Sequence, residues 1–162
     1  MKYVLKPYNR QMKFDQERLF RYLEDAVKQY PELDINRIYR SVMSKLKADL
    51  IKAEDITRAI YMSALELVSQ EEPNWKYVAA RAYLTKLYKE AALNRGYKAY
   101  KDKPYGSFYK LIEKLVDIGI YKEELLEIYS KEEIEELGKY ISPEKDLLFD
   151  YIGLVTFYDR YL

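Results

Sequence analysis

Apolar residues recur at three- and four-residue steps along most of this chain, and the places where that rhythm fails mark its joints. The organising stretch is Pro73-Asn74-Trp75-Lys76-Tyr77-Val78-Ala79-Ala80-Arg81-Ala82. Trp75, Val78, Ala79 and Ala82 share one helical face, Asn74 can cap the helix, and the alanines let neighbouring helices come close. The pattern predicts a central packing helix from Asn74 to about Leu93.

Three helices are predicted ahead of it. Asp15 caps the first, about 16–30, with Leu19, Phe20, Leu23, Val27 and Tyr30 on its apolar face and Pro31 at its end. Asp34 caps the second, about 35–48, with Ile35, Ile38, Tyr39, Val42 and Leu46 inward. The third runs about 54–70, with Ile56, Ala59, Ile60, Ala64, Leu67 and Val68 on one stripe, and Glu71-Glu72-Pro73 breaks it. The first residues differ. Tyr3-Val4-Leu5-Lys6 is a short extended run, Pro7-Tyr8-Asn9-Arg10 reads as a turn, and Gln11-Met12-Lys13-Phe14 returns. A lone hairpin is marginal in water, so this one should lie on the helices. Ile51-Lys52-Ala53 is a connector placed to pair with it.

Gly96, Pro104 and Gly106 interrupt the helical rhythm, which makes residues 95–106 a linker. Its Arg95, Lys98, Lys101 and Lys103 read as solvated charges, with phosphate contact as the alternative. Beyond it, Phe108, Leu111, Ile112 and Leu115 form one helical face closed by Gly119. Residues 122–129 form a short helix, and Ser130 with Glu133 makes a capping box for another that ends near Ile141. Ser142 and Pro143 start a last helix, with Leu147, Leu148, Tyr151, Ile152, Val155 and Tyr158 as its apolar side.

Composition narrows the chemistry. With 162 residues, 49% hydrophobic and 34% charged, the chain can bury one or two cores and is not a disordered tail. No apolar run approaches the ~20 residues that span a bilayer, and no signal peptide is visible, so the expected location is cytoplasmic. The absence of Cys and His excludes disulfides, thiolate zinc sites, His-based triads and thiyl-radical chemistry within these residues. A net charge of +1 gives no long-range pull toward nucleic acid or membrane, so neither is expected as a partner. The 19 tyrosines read as half-buried rings with wet hydroxyls rather than as a base-stacking platform. Acidic pairs at 71–72, 123–124, 132–133 and 135–136 read as solvated helix surface. No Walker A sequence, dinucleotide fingerprint or metal motif appears. One chemistry remains: Lys6 on the first strand and Lys89, roughly four turns beyond Trp75, could face one phosphate cluster if the hairpin folds over the helices.

Two stretches carry a family resemblance. Val4-Leu5-Lys6, a turn, Phe14-Asp15, and later Tyr77-Val78-Ala79-Ala80-Arg81 resemble the ATP-cone. Lys114-Leu115-Val116-Asp117-Ile118-Gly119, then Tyr129-Ser130-Lys131-Glu132-Glu133, Phe149-Asp150-Tyr151 and Tyr158-Asp159-Arg160-Tyr161-Leu162 resemble the helical segment that links the cone to the catalytic barrel in class I ribonucleotide reductase large subunits. The implied fold is mainly α: a small N-terminal β-hairpin or sheet on a four-helix ATP-cone-like bundle (1–94), the linker (95–106) and a second helical segment (107–162).

The resemblance implies a regulatory region that binds ATP or dATP, with magnesium, and controls overall reductase activity through subunit assembly. Its implied partners are the remainder of the large subunit, the small radical-generating subunit and a second copy of itself. The family's catalytic cysteines lie beyond this segment, so the chain reads as a piece of a longer polypeptide or a split gene product, inactive alone. The implied nucleotide-binding residues are Lys6, Asn9, Thr57 and Lys89. The pattern departs from the family where Pro7, Tyr8 and Asn9 replace Arg-Asp-Gly, where Met12 stands for an acidic residue, and where Ala53 and Thr57 stand for Thr and His. Asn9 can still make the tight turn, but Pro7 cannot offer a guanidinium to a phosphate. Two readings follow: a working nucleotide-binding cone with an altered site, or a degenerate cone that serves as a structural or subunit-contact domain.

Overall fold

The computed structural model describes residues 2–6, 9–95 and 107–161, and is mainly helical with one small three-stranded sheet. The chain divides into two compact units, Met1–Lys86 with Leu147–Leu162, and Leu87–Asp146. The expected linker at 95–106 falls, apart from Arg95 at the end of a helix, outside the described residues.

In the first unit the extended N-terminal run forms β1 (Tyr3–Lys6) and β2 (Arg10–Lys13), and Leu50–Lys52 forms β3. β1 is central, antiparallel to β2 and parallel to β3. The connector at Ile51 and Lys52 therefore does pair with the hairpin, while Ala53 opens the next helix. Pairing Val4 with Ile51 brings two buried side chains onto the face that joins the core.

Helices α1 (Gln16–Val27), α2 (Ile35–Lys45) and α3 (Ala53–Leu67) follow, each shorter at its C-terminus than the apolar rhythm predicted. The caps predicted for α1 and α2 hold: Asp15 accepts from the Arg18 N–H at 2.9 Å, and Asp34 from the Asn36 N–H at 2.8 Å, whereas the Asn74 side chain donates to Glu32 at 2.7 Å. α4 (Trp75–Arg95) starts in this unit and ends in the other. Trp75, Val78, Ala79 and Ala82 are fully buried, and Ala80, Tyr83 and Leu84 nearly so. This first half of α4 is apolar nearly all round, as a helix enclosed by others must be. Trp75 is the largest fully buried side chain, yet its Nε1 has no hydrogen-bond partner among the described residues. Arg81 reaches the last turn of α1, donating to the Ala26 carbonyl and to Gln29, with its guanidinium over the Tyr30 ring.

The end of the chain differs from its prediction. Instead of one helix from Ser142, a 3-10 helix covers Pro143–Leu148 and α8 covers Tyr151–Tyr161. Asp150 makes the break: its side chain accepts from the Gly153 N–H at 2.9 Å and caps a new helix. The restart shifts the phase of the buried face. Leu148 (78% exposed) and Ile152 (73%) lie outside, while Leu154 is buried. Tyr151 stacks on Tyr61 of α3 at 5.5 Å and meets Tyr83 of α4 edge-on at 5.4 Å, so α8 is seated on the helical body by rings.

The second unit contains the end of α4, α5 (Phe108–Asp117), α6 (Glu124–Ile128) and α7 (Lys131–Gly138). Ile112 and Ile134 are its buried anchors on α5 and α7. Gly138 lets α5 come close, since a Cβ there would lie 2.6 Å from Phe108 Cβ. Gly119, with φ of 76°, adopts the left-handed turn that its position after α5 predicted. Most residues of the acidic pairs are exposed, as expected of helix surface, but Glu133 and Glu135 act at helix ends. Glu133 completes the capping box with Ser130. Glu135 reaches the start of α5, accepting from the Ser107 hydroxyl and from the Phe108 and Tyr109 N–H groups.

Candidate functional site

The site is set by strand register. Leu5 pairs with Lys52, and α3 begins at the next residue, Ala53. Lys6, half-buried at the end of β1, therefore stands level with the first residue of α3. Lys52, the residue before that helix, makes no side-chain capping bond, so no cap of its own covers the first backbone donors of α3. Those donors and the helix dipole make the start of α3 electropositive. Glu54 and Asp55 in its first turn offset part of that field, and Glu54 lies 3.8 Å from Lys52.

Asn9 occupies the hairpin turn with φ of 57°, the left-handed conformation expected of a Gly substitute there. Lys6 pairs with Arg10, so three residues separate the strands, and a left-handed last loop residue is the usual solution for that length. Thr57 lies half-buried in α3, one turn after Ala53. The structure thus brings Lys6 and Asn9 to the tip of one hairpin and Lys6 to the start of the helix that carries Thr57. Lys89 stands exposed on α4 in the second unit. Of the departures from the family pattern, Met12 is 37% exposed on β2 opposite Val4, and Pro7 and Tyr8 fall outside the described residues.

Sequence reasoning missed Arg10, which it placed in the turn. In the structure Arg10 is the first residue of β2 and lies directly across from Lys6. No sequence signal fixed its position, because a one-residue change in register would have sent Arg10 to the opposite face. A separate groove of about 330 Å³ lies between the end of α2, β3 and α3, lined by Lys47, Asp55, Arg58 and Met62, with Lys45 and Glu66 paired at 2.6 Å. None of the four expected site residues lines it.

Residues 2–90 match the family model of the ATP cone domain. This chain belongs to the ATP-cone family. The cone match begins at β1 and ends within α4, so it includes the hairpin, the junction of β3 with α3, and Lys89. The chain is also similar to the N-terminal region of ribonucleoside-diphosphate reductase alpha subunits. It is 34% identical to that of a Synechocystis strain over 112 residues, covering 69% of this chain and 14% of the relative. Against the phage T4 subunit it is 31% identical over 159 residues, covering 98% of this chain and 20% of the relative. Against subunit alpha 1 of Escherichia coli K12 it is 32% identical over 114 residues, covering 70% and 14%. The chain thus spans a fifth or less of the length of these relatives, and the T4 match extends the similarity past the cone through the second set of helices. No helix of the described residues is long and apolar enough to cross a membrane.

Proposed function

We propose that this chain is the N-terminal regulatory region of a ribonucleoside-diphosphate reductase large subunit, and that its cone binds ATP or dATP to control overall activity. The observation that carries the reading is the ATP-cone match over a fold in which Lys6 and the start of α3 lie side by side. The donor set suits an anionic ligand: an ammonium, a helix start without its own cap, and a polar turn at Asn9. In this reading Lys6 and the first donors of α3 hold phosphates, Asn9 shapes the turn beside them and Thr57 adds a contact from α3, with magnesium accompanying the nucleotide; Lys89, in the second unit, enters the reading by resemblance alone. Residues 1–94 act as the cone, 95–106 as its linker and 107–162 as the lead into the remaining large subunit. Other partners are the small radical-generating subunit and further copies of the chain, in the cytoplasm.

A second reading rests on Met12, Glu54 and Asp55. An apolar residue where the family has an acid, and two carboxylates at the start of α3, suit a cone that keeps its fold but serves as a structural or subunit-contact domain. Thermal unfolding of the chain with ATP, dATP or GTP, each with magnesium, separates the two. A ligand at 100 times its Kd adds about 2.7 kcal/mol, which for a domain of this size is roughly 5–10 °C. A shift with adenine nucleotides that is lost in Lys6→Ala supports the regulatory reading. No shift at millimolar nucleotide rejects it in favour of the structural one.

A further inference from the structure

We propose that Arg10 is a second phosphate-binding cation of the cone, acting with Lys6 across the hairpin; this rests on the nucleotide-binding reading above. The argument starts from the pleat. Val4 and Lys6 lie two residues apart on β1, so they share a face, and Val4 is buried in the core together with its β3 partner Ile51. That face is the one the helices cover. Arg10 is the direct cross-strand partner of Lys6 and so projects from the same face. Opposed residues in an antiparallel pair hold their Cβ atoms about 5 Å apart, within reach of one phosphate for side chains of this length.

Two like charges directly opposite one another are unfavourable in the absence of a counter-charge. Among the described residues neither Lys6 nor Arg10 forms an ion pair or a side-chain hydrogen bond. Some other cations of this unit are engaged, Lys45 with Glu66, Arg37 with Glu72, and Arg81 with Ala26. A polyphosphate at the hairpin tip supplies the missing negative charge. It also accounts for the guanidinium. The resemblance expects an arginine directly after Lys6, where this chain has Pro7. Arg10 restores a planar, bidentate donor to the same tip from the neighbouring strand.

Calorimetric titration of the full chain with ATP, adenosine and inorganic triphosphate tests this. Arg10→Ala should weaken ATP and triphosphate by about tenfold to a hundredfold, the loss of one hydrogen bond to a charged group. Adenosine affinity should stay unchanged, and Arg10→Lys should recover part of the loss. The melting temperature of ligand-free Arg10→Ala should not fall, because the substitution removes a like-charge opposition. If the native chain binds ATP and Arg10→Ala binds it equally well, the assignment of Arg10 is wrong while the nucleotide-binding reading stands. If the native chain binds neither ATP nor triphosphate, both fail together. Equal weakening of ATP and adenosine, or a lowered ligand-free melting temperature, would make Arg10 a structural residue and also overturn the assignment.

Discussion

The Arg81 guanidinium donates from Nη1 to the backbone carbonyl of Ala26 at 2.6 Å. Ala26 is the penultimate residue of α1, so this carbonyl belongs to the group that a helix leaves without internal partners. A charged donor from α4 thereby caps α1 and locks the two helices in register. Arg81→Ala should destabilise the first unit by about 1–3 kcal/mol, because it leaves the carbonyl without its donor. Arg81→Lys should recover less than half, since the same side chain also reaches Gln29 and covers Tyr30. Urea unfolding of the two variants measures both effects.

Trp75 gives an unusual pair of expectations. Trp75→Ala opens a large cavity at a fully buried site and should cost about 3–5 kcal/mol. Trp75→Phe removes an indole N–H that has no partner among the described residues, so the lost volume is offset by relief of an unsatisfied donor. Its cost should stay below about 1.5 kcal/mol. Thermal melts of the two variants beside the native chain decide it; equal losses would mean that the indole nitrogen is satisfied in solution.

Acid should loosen the second unit first where Glu135 meets α5. The Ser107 hydroxyl, then the Tyr109 and Phe108 N–H groups and the Lys131 charge, hold the Glu135 carboxyl below the usual glutamate range, against a smaller opposing effect of burial. A carboxylate with a lowered folded value stabilises the fold above its unfolded value and loses that contribution as pH falls through the folded one. The effect is therefore complete above the ordinary value of 4.5 and disappears progressively below it. Amide hydrogen exchange in α5 should accelerate over that range in the native chain and show a flatter pH profile in Glu135→Gln. Ser107→Ala should cost about 1 kcal/mol as a lost N-cap.

Two glycines should fail for different reasons. Gly138→Ala places a methyl 2.6 Å from Phe108 Cβ, so α5 and α7 must separate, at a cost of about 1–3 kcal/mol. Gly119→Ala meets open space, and its penalty of about 1 kcal/mol comes from a φ of 76° alone. Unfolding of a Phe108→Gly, Gly138→Ala double variant should show strong non-additivity, because glycine removes the Cβ that the new methyl meets, whereas pairing Phe108→Gly with Gly119→Ala should not.

Local signals were legible where a side chain acts within a few residues of itself. Asp15, Asp34 and the Ser130–Glu133 box could be read as helix starts because the cap and its target lie two or three residues apart. The face formed by Trp75, Val78, Ala79 and Ala82 was legible because one helix keeps its phase throughout. The last helix was misread because Asp150 resets that phase, and a periodicity carried across a break points to the wrong side chains, Leu148 and Ile152 in place of Leu154. At the candidate site, resemblance pointed to Lys6 and Asn9, and the left-handed turn at Asn9 was legible, but the pairing of Lys6 with Arg10 was not. That pairing depends on register, which the composition of either strand leaves open.

The junction of β3 with α3 has a mechanical side. β3 ends at Lys52 and α3 starts at Ala53, with no spare residue to absorb slack. A strand held in a ladder and a helix fused to it move as one lever, whose pivot is the hydrogen-bonded seam with β1. The helical arm has 15 residues, about 22 Å at 1.5 Å each. It carries Tyr61, which stacks on Tyr151 of α8. A tilt of a few degrees at the hairpin seam therefore becomes a displacement of about an ångström at the far end of the arm and about half that at Tyr61, roughly 12 Å along it. The short distance between sheet and helix gives this unit its mechanical gain.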